Sequence, residues 1–397
     1  MNKPLKLHAN LVDGLHRLVE EYRKGAHPER LLERHFRMNK RWGKRDRRWL
    51  KDTFYHYLRF RNRVDFLTRK CGGDEDFRIK TLIRSAHPDY ESLLDFTPGE
   101  KECLDRAARE ASGYPWLQYG VPKELWDYMQ RHLAHPEEIL QRLNEPSLPI
   151  VRVNTLKIAP EQMAAHWKEK GYGFRPLMFP ETFVFEKPYR LTRTDAYRRG
   201  LFEVQDISSQ AVVKFAGARP GQKVVDACAG AGGKTLHLAA EMRNRGQLTA
   251  LDIYEDKIRE LRRRARRAGV RNLVWSGTVN DRVLKRLESS ADLVLADAPC
   301  SNSGTYKRKP HRKWYFNSSF LEKTLAAQRH VLDTYARLVR PGGHLVYATC
   351  SVLPGENQKQ IKAFLERNKD FIFVDEQVWL PGSEYGDGFY MAKLRRR

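Results

Sequence analysis

Apolar residues recur at helical spacing through the opening stretch of the chain. Leu11, Leu15, Leu18 and Val19 share one face, as do Leu31, Leu32 and Phe36, and Leu50, Phe54, Tyr57 and Leu58 continue the habit. This is the period of amphipathic helices, and strand-like alternation is absent. Pro28, Pro88 and Pro98 punctuate the run, and Gly72-Gly73 marks a loop. The spacing predicts an all-helical domain over 1–112. Gly113, Pro115, Gly120 and Pro122 then break the pattern and mark a boundary. Residues 113–200 mix short helices with strand-like runs such as Ile150-Val151-Arg152-Val153 and Phe183-Val184-Phe185, which suits a small α/β module.

After Gly200 the pattern changes again. Short apolar runs at 224–227, 248–252, 272–276, 293–297 and 344–347 read as strands, and 235–242, 255–268 and 320–338 read as helices. This alternation predicts an α/β class for 201–397, a doubly wound parallel sheet. Ligands of such a sheet sit at the carboxyl ends of its strands.

Charge narrows the partners. Of 397 residues, 73 are Lys or Arg and 49 Asp or Glu, a net charge of +24. A surface that basic suits a polyanion, whether nucleic acid or an anionic membrane face. No apolar run approaches the length of a membrane span, and Met1-Asn2-Lys3-Pro4-Leu5-Lys6 is followed by no apolar signal region, so neither spanning nor export is expected. The five cysteines include no CxxC pair. Disulfide scaffolds and zinc fingers are therefore not expected, nor any metal, and the working compartment is reducing. Cys71 and Cys103 read as small buried hydrophobes. The runs 37–48 and 257–267 each hold seven cations, equally suited to RNA contact and to a solvated helix face.

The turn Asp226-Ala227-Cys228-Ala229-Gly230-Ala231-Gly232-Gly233-Lys234-Thr235 joins a strand to a helix. A phosphate-binding Walker loop would need glycine where Cys228 stands, and a dinucleotide fingerprint would need it at Thr235. A nucleoside-cofactor loop fits better, with glycines admitting the backbone to a ligand and Asp252, ending the next strand, holding the ribose hydroxyls. A glycine-rich turn without a ligand is the plain alternative. Cys300, in Asp297-Ala298-Pro299-Cys300-Ser301, and Cys350, in Thr349-Cys350-Ser351, follow two further strands. Both stand at the ligand edge of the sheet, where a thiolate can act. The C5 carbon of a pyrimidine is a poor nucleophile until a thiolate adds at C6. An acid such as Asp297 can then bind the cytosine edge, and the Lys234 cation favours anionic states.

With these motifs the sequence resembles the RNA cytosine-C5 methyltransferase family, in its bacterial Sun/RsmB-type branch. The resemblance runs through Val204-Gln205-Asp206, Ser208-Ser209-Gln210, the glycine loop, Asp252, the Pro-Cys-Ser and Thr-Cys-Ser motifs, Lys313-Trp314, Glu356-Asn357 and Asp387-Gly388-Phe389-Tyr390. Upstream, Arg152-Val153-Asn154-Thr155 resembles the module before the catalytic domain, and Asp46-Arg47, Tyr55, Arg59 and Asp65 resemble a helical domain similar to the antiterminator NusB. The resemblance implies a Rossmann-like class I methyltransferase that uses S-adenosylmethionine. It implies Cys350 as nucleophile, Cys300 in product release, and cofactor contacts from Cys228, Ala229, Gly230, Ala231, Gly232, Gly233, Lys234, Asp252 and Asp297. Ala231 replaces a usual proline and Asn302 a usual glycine. Thr278 stands where an adenine-facing Asp is usual, leaving Thr278, Asn280 and Asp281 as candidates for that contact.

The segment Tyr306-Lys307-Arg308-Lys309-Pro310-His311-Arg312-Lys313-Trp314 holds five cations and two aromatics, which suits phosphate contact with base stacking. Arg308, Lys309 and Arg312, with Arg152 and Asn154 of the preceding module, are the expected RNA contacts; an ordinary basic loop is the alternative. The target cytosine must be single-stranded or flipped. The function expected is methylation of cytosine C5 in RNA, ribosomal by analogy, by a cytoplasmic monomer. Transfer RNA as substrate, or a silent RNA-binding assembly factor, are the alternatives.

Overall fold

A computed structural model of the chain describes residues 8–382 and 386–397. The signal-region expectation, which rests on residues 1–6, lies outside these. The described chain divides into two compact units, Met1–Arg131 with Lys309–Phe316, and His132–Arg308 with Asn317–Arg397.

The first unit is helical, with α1 at Ala9–Arg23, α2 at Pro28–Met38, α3 at Lys44–Lys70, α4 at Glu75–Ala86 and α5 at Pro98–Ser112. The predicted apolar faces meet in its core, where Leu15, Leu50, Phe54, Tyr57 and Leu58 are buried. Asp74 caps α4 by accepting from the Phe77 amide. Thr97 and Glu100 form a reciprocal capping box at the start of α5. Two findings differ from the sequence expectation. The unit continues past 112, because the Asn62 amide donates to the Trp116 and Val121 carbonyls, both at 2.8 Å. Gly120, at φ +63°, lets that loop press on α3, where a Cβ would stand 2.2 Å from the Arg59 carbonyl oxygen. Cys71 and Cys103 are also not free. The turn ending α3 brings their Cα atoms to 5.8 Å, and a disulfide joins them, which removes the inference from cysteine usage to a reducing compartment.

The second unit holds two sheets. The smaller is antiparallel, with β1 at Ile150–Val153, β2 at Phe174–Pro176, β3 at Thr182–Phe185 and β4 at Phe202–Val204, in the order β2-β3-β1-β4. Its core is Trp167, ringed by Phe174, Phe183, Phe185 and Phe202 at centroid distances of 5.6, 5.4, 5.1 and 5.5 Å. Because β4 pairs with β1, this sheet runs past the boundary expected at 200.

The larger sheet contains β5 at Lys223–Asp226, β6 at Gln247–Asp252, β7 at Leu273–Thr278, β8 at Ala291–Asp297, β9 at Val339–Thr349, β10 at Phe371–Trp379 and β11 at Phe389–Arg396. Their order is β10-β11-β9-β8-β5-β6-β7. The five strands anticipated from the sequence are parallel, as expected for a Rossmann-type sheet. The whole is mixed, because β11 runs antiparallel to both β9 and β10. An antiparallel pair needs no crossover helix, so these last strands left no β-α-β signal. Among the described residues no helix is long and apolar enough to cross a membrane.

Candidate active site

Strand β5 ends at Asp226 beside β8, and the connection from β5 runs to β6 on one side while that from β8 runs to β9 on the other. That topological switch opens a crevice at the carboxyl ends of the strands. The glycine loop and both cysteine loops emerge there.

In the loop, Gly230 and Gly232 take φ of +53° and +88°, which side chains resist. A Cβ on Gly232 would stand 2.8 Å from Leu261 Cγ, whereas Gly230 and Gly233 face open space. The Gly230 amide donates to Asp252 Oδ2 at 2.7 Å and the Tyr254 amide to Asp252 Oδ1 at 3.0 Å. Arg264 Nη1 donates to the Ala231 carbonyl at 2.8 Å. Ile253 and Tyr254 are exposed beside Asp252. Clear backbone, a half-buried carboxylate and an apolar platform together fit a nucleoside cofactor. Ala229 is buried and its amide donates to the Leu251 carbonyl at 2.8 Å, so it shapes the loop. Burial, with Asp297 and Asp226 adding to it, pushes the Cys228 thiol well up. Thr278 is in register with Asp252 at the end of β7. The Asn280 side chain is spent capping the next helix through the Val283 amide at 3.0 Å, and Asp281 lies in that helix's first turn.

Lys234 Nζ lies 2.6 Å from Asp297 Oδ2 at the end of β8. Burial alone would lower the Lys234 pKa, but Asp297 and Cys350 hold it above its ordinary value. Asp226, hydrogen-bonded by Thr235 Oγ1 at 2.6 Å, is pushed up to about 7 by burial.

Parallel pairing of β8 with β9 sets Asp297 against Ala348, so the two cysteine loops leave side by side. Cys300 Sγ and Cys350 Sγ are 3.3 Å apart, and Asn302 Oδ1 lies 3.4 Å from Cys350 Sγ. Beneath them is a buried clasp that the sequence reading left without a role. Glu356 accepts from the Ser301 amide at 2.7 Å, from Ser301 Oγ at 2.5 Å, from Ser351 Oγ and from Gln328 Nε2 at 3.1 Å. Burial raises its pKa against those hydrogen bonds. One carboxylate thus ties the residue after Cys300 to the residue after Cys350. In the sequence its signs were the repeated Cys-Ser pair and the Glu356-Asn357 motif, neither of which tells that they meet.

The expected RNA contacts divide. Arg152 is 1% exposed and donates to Gln205 Oε1 at 2.8 Å; burial pulls its pKa to about 10. Asn154 is 3% exposed and its amide donates to the Gly200 and Ala268 carbonyls, both at 2.8 Å. Both are corrected to structural residues, since neither side chain reaches solvent. Arg308 is exposed but paired with Asp387, itself pushed up to about 7 by burial. Lys309 and Arg312 are exposed, whereas Tyr306, Lys307 and Lys313 are buried. The segment is therefore not one continuous exposed ribbon. Among the described residues, Glu181, His237 and Glu241 converge as metal donors could. Lys214 Nζ, 2.6 Å from Glu181 Oε1 and 2.8 Å from Glu241 Oε1, already fills the cation position.

Comparison with known proteins follows the same lines. Residues 216–395 match the family described as 16S rRNA methyltransferase RsmB/F. Ribosomal RNA small subunit methyltransferase B of Escherichia coli is 33% identical over 283 residues, 68% of this chain and 66% of that protein. The matched region thus spans just under two thirds of that relative's length. A methyltransferase homolog protein from Pyrococcus horikoshii superposes with a TM-score of 0.63 at 28% identity, covering 71% of this chain and 98% of that one. The structure of PH0851 shares the fold over 99% of this chain and all of its own, with a TM-score of 0.80 at 23% identity.

Proposed function

We propose, from the premise that this chain belongs to the 16S rRNA methyltransferase RsmB/F family, that it methylates cytosine C5 in ribosomal RNA through a covalent cysteine adduct. The observation that carries the reading is the 3.3 Å approach of Cys300 and Cys350 beside the Lys234–Asp297 pair, at the mouth of the glycine loop. S-adenosylmethionine would be held by the backbone of 228–233, by Asp252 at the ribose and by Thr278 nearby, and supplies a sulfonium-bound methyl group.

Cys350 is the nucleophile. Its thiolate bonds to C6 of a single-stranded or flipped cytosine, and the electron pair of the C5–C6 bond becomes available at C5 for the methyl group. Asp297, with Oδ2 held by Lys234, offers Oδ1 to the amino edge of the base. Cys300 serves the release step: the C5 proton leaves to a base, the C5–C6 double bond re-forms, and the Cys350 sulfur departs. A silent assembly factor would have no use for two cysteines, an acid and a cation gathered this way. The description of the Escherichia coli relative favours ribosomal over transfer RNA. The chain is taken to act as a monomer in the cytoplasm, where that RNA is.

Bisulfite sequencing of total RNA from cells with and without the gene tests the proposal. One or more ribosomal cytosines should lose protection when the gene is deleted; an identical protection map would overturn the reading.

A further inference from the structure

The helical unit carries a cavity of about 330 Å³ that the methylation chemistry does not use. Its wall is built mainly by α3, which presents Arg61, Asp65 and Arg69 at intervals of four, so they stack on successive turns. The last turn of α1 adds Arg23, α4 adds Arg78, and Trp314 closes the side. Four guanidiniums thus face one lining carboxylate.

That carboxylate is already committed. Arg23 Nη1 lies 3.1 Å from each Asp65 oxygen and Arg78 Nε 3.1 Å from Oδ1, and Arg78 also pairs with Glu75. The Tyr57 hydroxyl accepts from Arg23 at 3.0 Å. These bonds lock two of the guanidiniums in place. Arg61 and Arg69 have no carboxylate partner among the described residues. Arg61 stands 5.0 Å over the Trp314 ring, and Arg69 Nε reaches only the Asp65 carbonyl, at 3.3 Å. The indole is itself pinned, its Nε1 donating to the Leu58 carbonyl at 2.7 Å. Excess positive charge on a preorganised wall of planar forks suits an oxyanion with several acceptor oxygens.

We propose that this cavity binds a phosphodiester group of the RNA substrate, with Arg61 and Arg69 making the contacts and Arg23, Arg78 and Trp314 holding the wall. The inference rests on the RNA substrate argued above. A linear polyanion is favoured over a lone phosphate because the net charge of +24 is spread along the whole chain, as a long backbone would require.

The test measures binding of a labelled single-stranded oligoribonucleotide to the full chain across a salt series, for the parent and for the Arg61→Ala/Arg69→Ala variant. The variant should bind several-fold more weakly at low salt, with a log affinity–log salt slope flatter by about 0.7, the share of one single-strand phosphate contact. The Arg61→Lys/Arg69→Lys variant should recover most of the slope. Inorganic tripolyphosphate should displace RNA from the parent more effectively than from the alanine variant. A parental slope in the alanine variant overturns the proposal. So does a lysine variant as weak as the alanine one, which would mean that packing rather than charge was lost. Tripolyphosphate binding to the cavity with an unchanged RNA slope would make it a site for free polyphosphate instead. An unchanged variant beside a parent that binds RNA refutes this inference alone, whereas a parent that binds no RNA refutes the proposed function with it.

Discussion

Cys300 Sγ lies 3.3 Å from Cys350 Sγ, yet the two sulfurs meet different surroundings. Cys350 contributes to the field that holds Lys234 protonated, so an ammonium stands near its sulfur. The Cys300 thiol is pushed well up, first by its hydrogen bond to Cys350 and then by burial. Lys234 thus stands in the field of Cys350, whereas Cys300 meets the Glu356 carboxylate and a buried surrounding.

This asymmetry gives the cysteines separable phenotypes. Cys350→Ala should abolish both methyl transfer and any covalent RNA adduct. Cys300→Ala should still attack and methylate, then accumulate a denaturant-resistant protein–RNA complex when cofactor is present. A denaturing gel reads the difference, and an adduct trapped only in Cys350→Ala would exchange the roles.

Glu356 should act through position, since it touches neither sulfur. Glu356→Ala leaves the Ser301 amide and two buried hydroxyls without their acceptor, a stability cost of about 1–3 kcal/mol. Adduct formation in the Cys300→Ala background should slow markedly, with RNA affinity little changed. Glu356→Gln, which keeps one acceptor oxygen, should fall between. An adduct rate in Glu356→Ala equal to that of the background would remove the clasp from the mechanism.

Asp252 braces the glycine loop and is expected to hold the ribose. Asp252→Ala should weaken S-adenosylmethionine binding by more than about 1 kcal/mol, the scale of one charged hydrogen bond, as read by calorimetry. Asp252→Asn, retaining an acceptor, should lose less. Parental affinity in both would exclude the nucleoside assignment.

Burial, with Arg59 and His87 nearby, lowers the His56 pKa to about 4. The unfolded chain thus binds this proton first, and stability is lost as pH falls from about 6.5 towards 4. Burial shifts Asp226 and Asp387 the other way, to about 7, which favours the folded state as pH falls. Those terms are common to the parent and a His56→Gln variant, so they cancel in the difference. Between pH 7 and 4.5 the melting temperature of the parent should fall relative to that of the variant; parallel curves would show that His56 is not held neutral.

The sequence by itself determined what short-range periodicity and chain chemistry encode. The helical faces of Leu15, Leu50 and Phe54, the five parallel strands, the glycine loop before Lys234 and the placing of Cys300 and Cys350 at strand ends all follow from residues near one another in the chain. Tertiary structure alone decided the pairings between distant residues. Glu356 meets Ser301 across 55 positions and Trp314 meets Leu58 across 256, and no local pattern records either contact. The same limit explains the misplaced residues. Arg152 and Asn154 carry polar side chains that suit RNA, but pairing of β1 with β3 and β4 carries them inside. There Gln205 and the Gly200 and Ala268 carbonyls satisfy them. A polar side chain has the same sequence signature whether water, RNA or a buried carbonyl completes its hydrogen bonds, and only the folded chain chooses among them.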